Sequence, residues 1–113
     1  YEVIFMKMIK AVVRPEKSSE VLDALRNAGF PAATKFSILG RGKQQGLKIG
    51  TTHYDEIPKD MILIVVDDPD VDKVSKIITD TAKTGKNGTY GDGKIFVIPV
   101  ERCITISSGK DEL

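Results

Sequence analysis

Met61-Ile62-Leu63-Ile64-Val65-Val66 runs without a polar interruption and stops at Asp67-Asp68-Pro69-Asp70. A short, continuous apolar run of this kind predicts a central strand buried on both faces. The acidic cluster that follows predicts a helix start, with Asp68 as N-cap and Pro69 at the first helical position. Val71, Val74, Ile77, Ile78 and Ala82 then recur at three- and four-residue spacing, which carries the helix to about Thr84.

Upstream, residues 33–39 read as a strand, joined to the apolar run by a long connection over 39–59. A hairpin needs only two to five residues, so this excursion is too long to be a simple turn. Met6–Val13 reads as the first strand, ended by Arg14-Pro15 because proline cannot donate to a ladder. A helix over 16–28 follows. Ser18, Ser19 and Glu20 lie near its start, and Val21, Leu22, Ala24, Leu25 and Ala28 form its apolar stripe. Gly29 suits the position after the C-cap, and Pro31 prevents continuation. Downstream, 85–94 is glycine-rich, 95–100 reads as a strand, 103–106 as a short fifth strand, and 107–113 as a polar, mobile tail.

The order is βαββαβ, the split pattern of a ferredoxin-like α+β sandwich, with two helices on one face of a four-stranded antiparallel sheet. Ile9, Val12 and the apolar run imply that the other face is dry too. A subunit interface would cover it, so an oligomer is expected.

With 113 residues the chain suits one domain, spanning 1–113, around one core. Its 41% hydrophobic and 29% charged residues are ordinary for a soluble protein. A net charge of +1 and the absence of Trp argue against a nucleic-acid binder. No apolar run approaches the roughly 20 residues of a membrane helix. The single cysteine, Cys103, fits a reducing cytoplasm and reads as a small core residue. With His53 as the only other soft ligand, a structural zinc site is not expected. Tyr1–Phe5 precede Met6 and give no clear signal. Lys110-Asp111-Glu112-Leu113 spells an ER-retention signal, which without a leader at the start reads as coincidence.

Chemistry concentrates in two glycine-rich segments. The long connection holds Gly40, Gly42 and Gly46 among Arg41, Lys43, Gln44 and Gln45, with Lys59 at its far end. Glycines let backbone N–H groups approach an anion, and the cations add charge. The second segment, Gly88-Thr-Tyr-Gly-Asp-Gly93-Lys94, matches a phosphate-loop pattern until its last place, where Ile95 replaces the magnesium-binding Ser or Thr. It also follows a helix and opens a strand, the reverse of a P-loop. The two segments together suit a polyanion, held across a subunit boundary. No nucleophile–base pair is evident: His53 reads as a solvated loop histidine, and Asp92 as a residue that fixes its turn.

Met6-Lys-Met-Ile-Lys-Ala-Val-Val-Arg-Pro15, Gly40-Arg-Gly-Lys-Gln-Gln-Gly46, Thr84-Gly-Lys86 and Gly91-Asp-Gly-Lys-Ile-Phe96 resemble the PII signal-transduction family of nitrogen regulation (GlnB- and GlnK-like). The likeness covers residues 6–109. It is greatest to the archaeal, nitrogenase-linked NifI type, first of its pair.

The resemblance implies a non-enzymatic, trimeric regulator that binds ATP or ADP between subunits and 2-oxoglutarate at the base of a T-loop spanning 40–59. Gly91, Asp92, Gly93 and Lys94 match the phosphate-binding B-loop within 85–94, and Thr34 and Val65 match positions near the adenine. Val12, Gly40, Gly42, Lys43 and Gln44 are expected in the same nucleotide site. Gln44 matches a Mg2+ ligand beside ATP and 2-oxoglutarate. Lys59 matches the lysine that pairs with a 2-oxoglutarate carboxylate, enclosed by Gly42, Lys43, Gln44, Gln45 and Gly46. The implied partner is the nitrogenase molybdenum–iron component, met by Leu47, Lys48, Ile49, Thr52, His53 and Tyr54, by a homotrimer or a mixed assembly with a sibling subunit. The alternative is a GlnK-like regulator of an ammonium transporter. Three departures stand out. Two arginines of the family's C-loop fall at Thr105 and Ser107, Asn87-Gly88-Thr89 is inserted in the B-loop, and the T-loop is short.

Overall fold

The computed structural model describes residues 5–41, 48–49, 52–53 and 56–113, with backbone alone at 41, 48–49 and 52–53. Four strands, β1 (Met6–Val13), β2 (Ala33–Arg41), β5 (Glu56–Asp67) and β6 (Gly93–Val100), form one antiparallel sheet in the order β2-β5-β1-β6. Two helices, α1 (Pro15–Asn27) and α2 (Val71–Ala82), connect them. This is the expected ferredoxin-like βαββαβ arrangement. A separate ladder of β3 (Lys48–Ile49) and β4 (Thr52–His53) lies within the long connection.

Alternation decides which side of the sheet the helices cover. Ile9, Ala11 and Val13 of β1 and Ile62, Ile64 and Val66 of β5 face Val21 and Leu25 of α1 and Val74, Ile78 and Ala82 of α2, all buried. Full burial of one such Val, Leu or Ile side chain contributes about 1.5–3 kcal/mol, so this layer is the main stabilising element. Asp60 sits among these residues at 5% exposure. Ser18 Oγ of α1 donates to its Oδ2 at 2.6 Å, and Ser37 Oγ of β2 makes a longer contact of 3.4 Å with Oδ1. Lys35 Nζ stands 3.8 Å from Oδ2. The buried carboxylate therefore ties α1, β2 and β5 together.

The opposite face carries Met8, Val12, Ile38, Met61, Leu63 and Val65, all half-buried, and, among the described residues, no helix. Phe36, Phe96 and Ile98 extend it toward the edges at 44%, 48% and 38% exposure. The second apolar face inferred from Val12 and the central run is present.

Several boundaries differ from expectation, each for a local reason. β5 begins at Glu56 rather than Met61, and β2 runs on to Arg41, so the two strands consume both ends of the long connection. Pro58 is tolerated because β1 ends opposite Asp60, leaving β5 paired only with β2 there. Asp68 is not the N-cap of α2. Its N–H continues the ladder to Phe5 O at 2.8 Å, and its carboxylate is drawn to Lys7 Nζ at 2.9 Å. A 3-10 turn, Asp68–Asp70, precedes α2 instead.

At the other end, α2 stops at Ala82, because the amide and hydroxyl of Thr84 are turned to Asp92. α1 begins at Pro15, and Gly29 closes it as predicted. With Gly29 at φ +93, its N–H donates to Arg26 O and that of Phe30 to Leu25 O.

Residues 103–106 form no fifth strand; the only pairing there is an isolated bridge between Ile104 and Asp111. The polar tail folds back rather than extending, with Glu112 N–H donating to Cys103 O at 2.8 Å and Arg102 paired to Asp111 at 3.0 Å. Cys103 is half-buried beside this turn and outside the core cluster.

Candidate anion-binding site

The site forms where β1 ends, β6 begins and the loop after α2 returns to the sheet. Gly93 fixes that junction. It has φ +121, and a Cβ there would lie 1.7 Å from Val12 O. Only glycine permits this approach. It sets Lys94 beside Val12 across the β1–β6 ladder.

Asp92 organises the loop. Thr84 donates its amide to Oδ2 at 3.0 Å and its hydroxyl to Oδ1 at 2.7 Å, and the Thr89 amide donates to Oδ2 at 2.8 Å. Arg14, which caps the start of α1, donates Nε to Asp92 Oδ1 and Nη2 to Tyr90 O, both at 3.0 Å. Burial raises the pKa of Asp92, but these donors outweigh it and hold the carboxyl well below its ordinary range. Asp92 thus has the turn-fixing role read from the sequence.

Lys59 reaches the same loop from β5, its Nζ donating to Gly91 O. Partial burial lowers its pKa, the positive charge of Arg14 adds to this, and Glu16 and Asp92 offset part of it. Gly40 lies beside it: a Cβ there would be 3.2 Å from Lys59 Cγ. The carbonyls of Tyr90 and Gly91 are therefore both held by cations. A cleft of about 500 Å³ opens beside the loop, lined by Val12, Ile78, Ala82, Asp92, Gly93 and Lys94 among others.

The structure thus brings together Val12, Gly40, Lys59, Gly91, Asp92, Gly93 and Lys94. It does not bring Thr34 or Val65 to them. Val65 pairs with Met8, four residues along β1 from Val12, or roughly 13 Å at the usual strand rise. Thr34 lies on β2, three strands from β6. Gly42, Lys43, Gln44, Gln45, Gly46, Leu47 and Tyr54 lie outside the described residues. Lys48, Ile49, Thr52 and His53 are placed by backbone only, in the β3–β4 ladder. Among the described residues no group of three His, Cys, Asp or Glu is placed to hold a metal ion.

Arg14 and Thr84 belong to the site and had no role assigned from sequence. Arg14 reads as the end of a strand, and its approach to a residue 78 positions away has no local signature. Thr84 is eight residues from Asp92, and only closure of the loop joins them.

The model of the family "Nitrogen regulatory protein P-II" matches residues 6–110. The chain belongs to the P-II family. P-II proteins are regulators rather than enzymes, and they bind ATP or ADP and 2-oxoglutarate. Among similar P-II proteins is "Nitrogen fixation nifHD region GlnB-like protein 1" of Methanothermobacter marburgensis, 54% identical over 108 residues, covering 96% of this chain and all of the relative. The protein of that name from Methanothermococcus thermolithotrophicus is 51% identical over 93% of this chain and 97% of its own. "Nitrogen fixation nifHD2 region GlnB-like protein 1" of Methanosarcina barkeri is 51% identical over 96% of this chain and all of its own. No helix among the described residues is long and apolar enough to cross a membrane.

Proposed function

We propose that this P-II chain is a cytoplasmic sensor of ATP or ADP and 2-oxoglutarate that controls nitrogenase by binding it directly. One observation carries the reading. Lys59, Gly40 and the glycine loop 91–93 converge at one end of the sheet, so a cation and a phosphate-type loop share a single small site. The loop suits phosphates: its carbonyls at Tyr90 and Gly91 are held by cations, and Lys94 adds charge at its end. Thr34 and Val65 would contact the adenine of a nucleotide whose phosphates sit on another chain's loop. The apolar helix-free face suits the homotrimer, or the mixed assembly with a sibling subunit, that this requires. Lys59 would pair with a carboxylate of 2-oxoglutarate. Any Mg2+ would come with the nucleotide phosphates, with Gln44 as the proposed protein ligand.

The names of the relatives place them in nitrogen-fixation gene regions, which favours nitrogenase over an ammonium transporter as the target. An effector shifts a partner equilibrium only by binding the free and bound states differently. Capture of the molybdenum–iron component by the immobilised protein should therefore fall when Mg-ATP and 2-oxoglutarate are added together. Capture of an ammonium transporter instead would transfer the same sensor to the other target, and capture of neither would sink both.

A further inference from the structure

Two consecutive carbonyls of the B-loop are held by two cations in unlike ways. Arg14 holds Tyr90 O while its Nε is paired to the Asp92 carboxylate, so it is anchored to the loop by charge. Lys59 holds Gly91 O, and among the described residues that neutral oxygen is its only hydrogen-bond acceptor and no carboxylate lies within ion-pair distance. A carboxylate binds an ammonium more strongly than a carbonyl does, because both partners are then ionised and opposite charges attract. Glycine at position 40 lets the Lys59 stem lie close to the β2 backbone, where a Cβ would stand 3.2 Å from its Cγ. Arg14 adds positive charge at the same place, which favours an arriving anion and disfavours a second fixed cation.

We propose that Lys59 is a two-position latch: it holds the phosphate loop through Gly91 O, and a small dicarboxylate draws it away, so that carboxylate occupancy is transmitted to the loop backbone. The inference rests on the reading that Lys59 meets a carboxylate of 2-oxoglutarate. The Gly91–Asp92 peptide is the point of transmission: Lys59 holds its carbonyl and Thr89 O accepts its N–H at 3.1 Å, so departure of the ammonium leaves it one bond instead of two, next to Gly91 at φ +96. Arg14 and Asp92 stay in place and act as the pivot.

Amide hydrogen exchange on the full-length protein tests this. In the absence of ligands, Lys59→Met should speed exchange at Asp92, whose N–H lies in the peptide that Lys59 holds, by about tenfold, as loss of a local anchor does. Thr84 and Thr89, bonded to Asp92, should keep wild-type rates, as should the amides of β1, which also report that the variant is folded. Saturating 2-oxoglutarate, with and without Mg-ATP, should reproduce the acceleration at Asp92 in wild type and add nothing in Lys59→Met. Wild-type rates in the unliganded variant would overturn the latch. If calorimetry shows 2-oxoglutarate bound while loop exchange is unchanged, the switch alone fails. If no 2-oxoglutarate binds under either condition, the effector reading fails and the switch with it.

Discussion

Asp60 and Asp92 are both carboxylates that tie three separate parts of the chain together, and they do so in opposite surroundings. Asp60 lies in the helix–sheet layer with its side chain 7% exposed, held by two serine hydroxyls and a distant lysine. Asp92 lies at the end of the sheet with its side chain 19% exposed, held by two amides, a hydroxyl and a guanidinium. The first fixes how layers stack; the second fixes a loop that a ligand must reach. The difference predicts that damage at Asp60 appears in global stability, whereas damage at Asp92 appears in the loop.

The strongest way to break the loop side is Gly93→Ala. A methyl group has no room against Val12 O, and φ +121 is strained for alanine, so β6 must part from β1 at that end. A loss of about 3 kcal/mol or more is expected in denaturant unfolding. Asp60→Ala should come next, at about 2–3 kcal/mol, because it opens a hole in a buried layer and leaves the Ser18 hydroxyl only Pro15 O as acceptor. Nucleotide affinity per folded molecule should stay near wild type, measured by calorimetry.

Asp92→Asn reverses that pattern. Its global cost should be about 1 kcal/mol, because part of the donor set can still be met by the amide oxygen. Its ATP affinity should fall by about tenfold, since 1.4 kcal/mol of lost loop organisation has that effect. Equal losses of stability and affinity in the two variants would erase the distinction. Acid titration gives the smallest and most local signal. A carboxylate whose folded pKa lies below its ordinary 3.8 stabilises the fold above that value, and the contribution is lost as pH falls below it. Amide shifts of Thr84 and Thr89 should hold steady from pH 6 to pH 4, move only below that, and show no such step in Asp92→Asn.

The fold was legible because its signals are local. The Met61–Val66 run, the two apolar helical stripes and Gly29 each mark an element through neighbours within a few residues. The boundaries were less so, because they depend on partners. Pro58 looks like a strand breaker until β1 is known to end opposite Asp60, and Asp68 looks like a cap until Phe5 and Lys7 take its donor and acceptor. In the site, the glycine–lysine chemistry of both segments was legible, Lys59 included, and only the pairing of Lys59 with a 2-oxoglutarate carboxylate came from family resemblance. Arg14 and Thr84 were not, since their roles exist only once the loop closes. Asp60 escaped for a related reason: a carboxylate beside a polar loop reads as solvated, and only the register of β5 turns it inward.

That register has a further consequence, since Lys59 and Asp60 are adjacent and face opposite sides of β5. A slip of one residue would exchange them, putting the carboxylate at the anion site and the ammonium into the core. A buried, unpaired lysine is costly enough that such a chain would not persist. The core therefore acts as a proofreader for the binding site: a molecule that has folded stably has, by that fact, already turned its ligand-facing charge the right way.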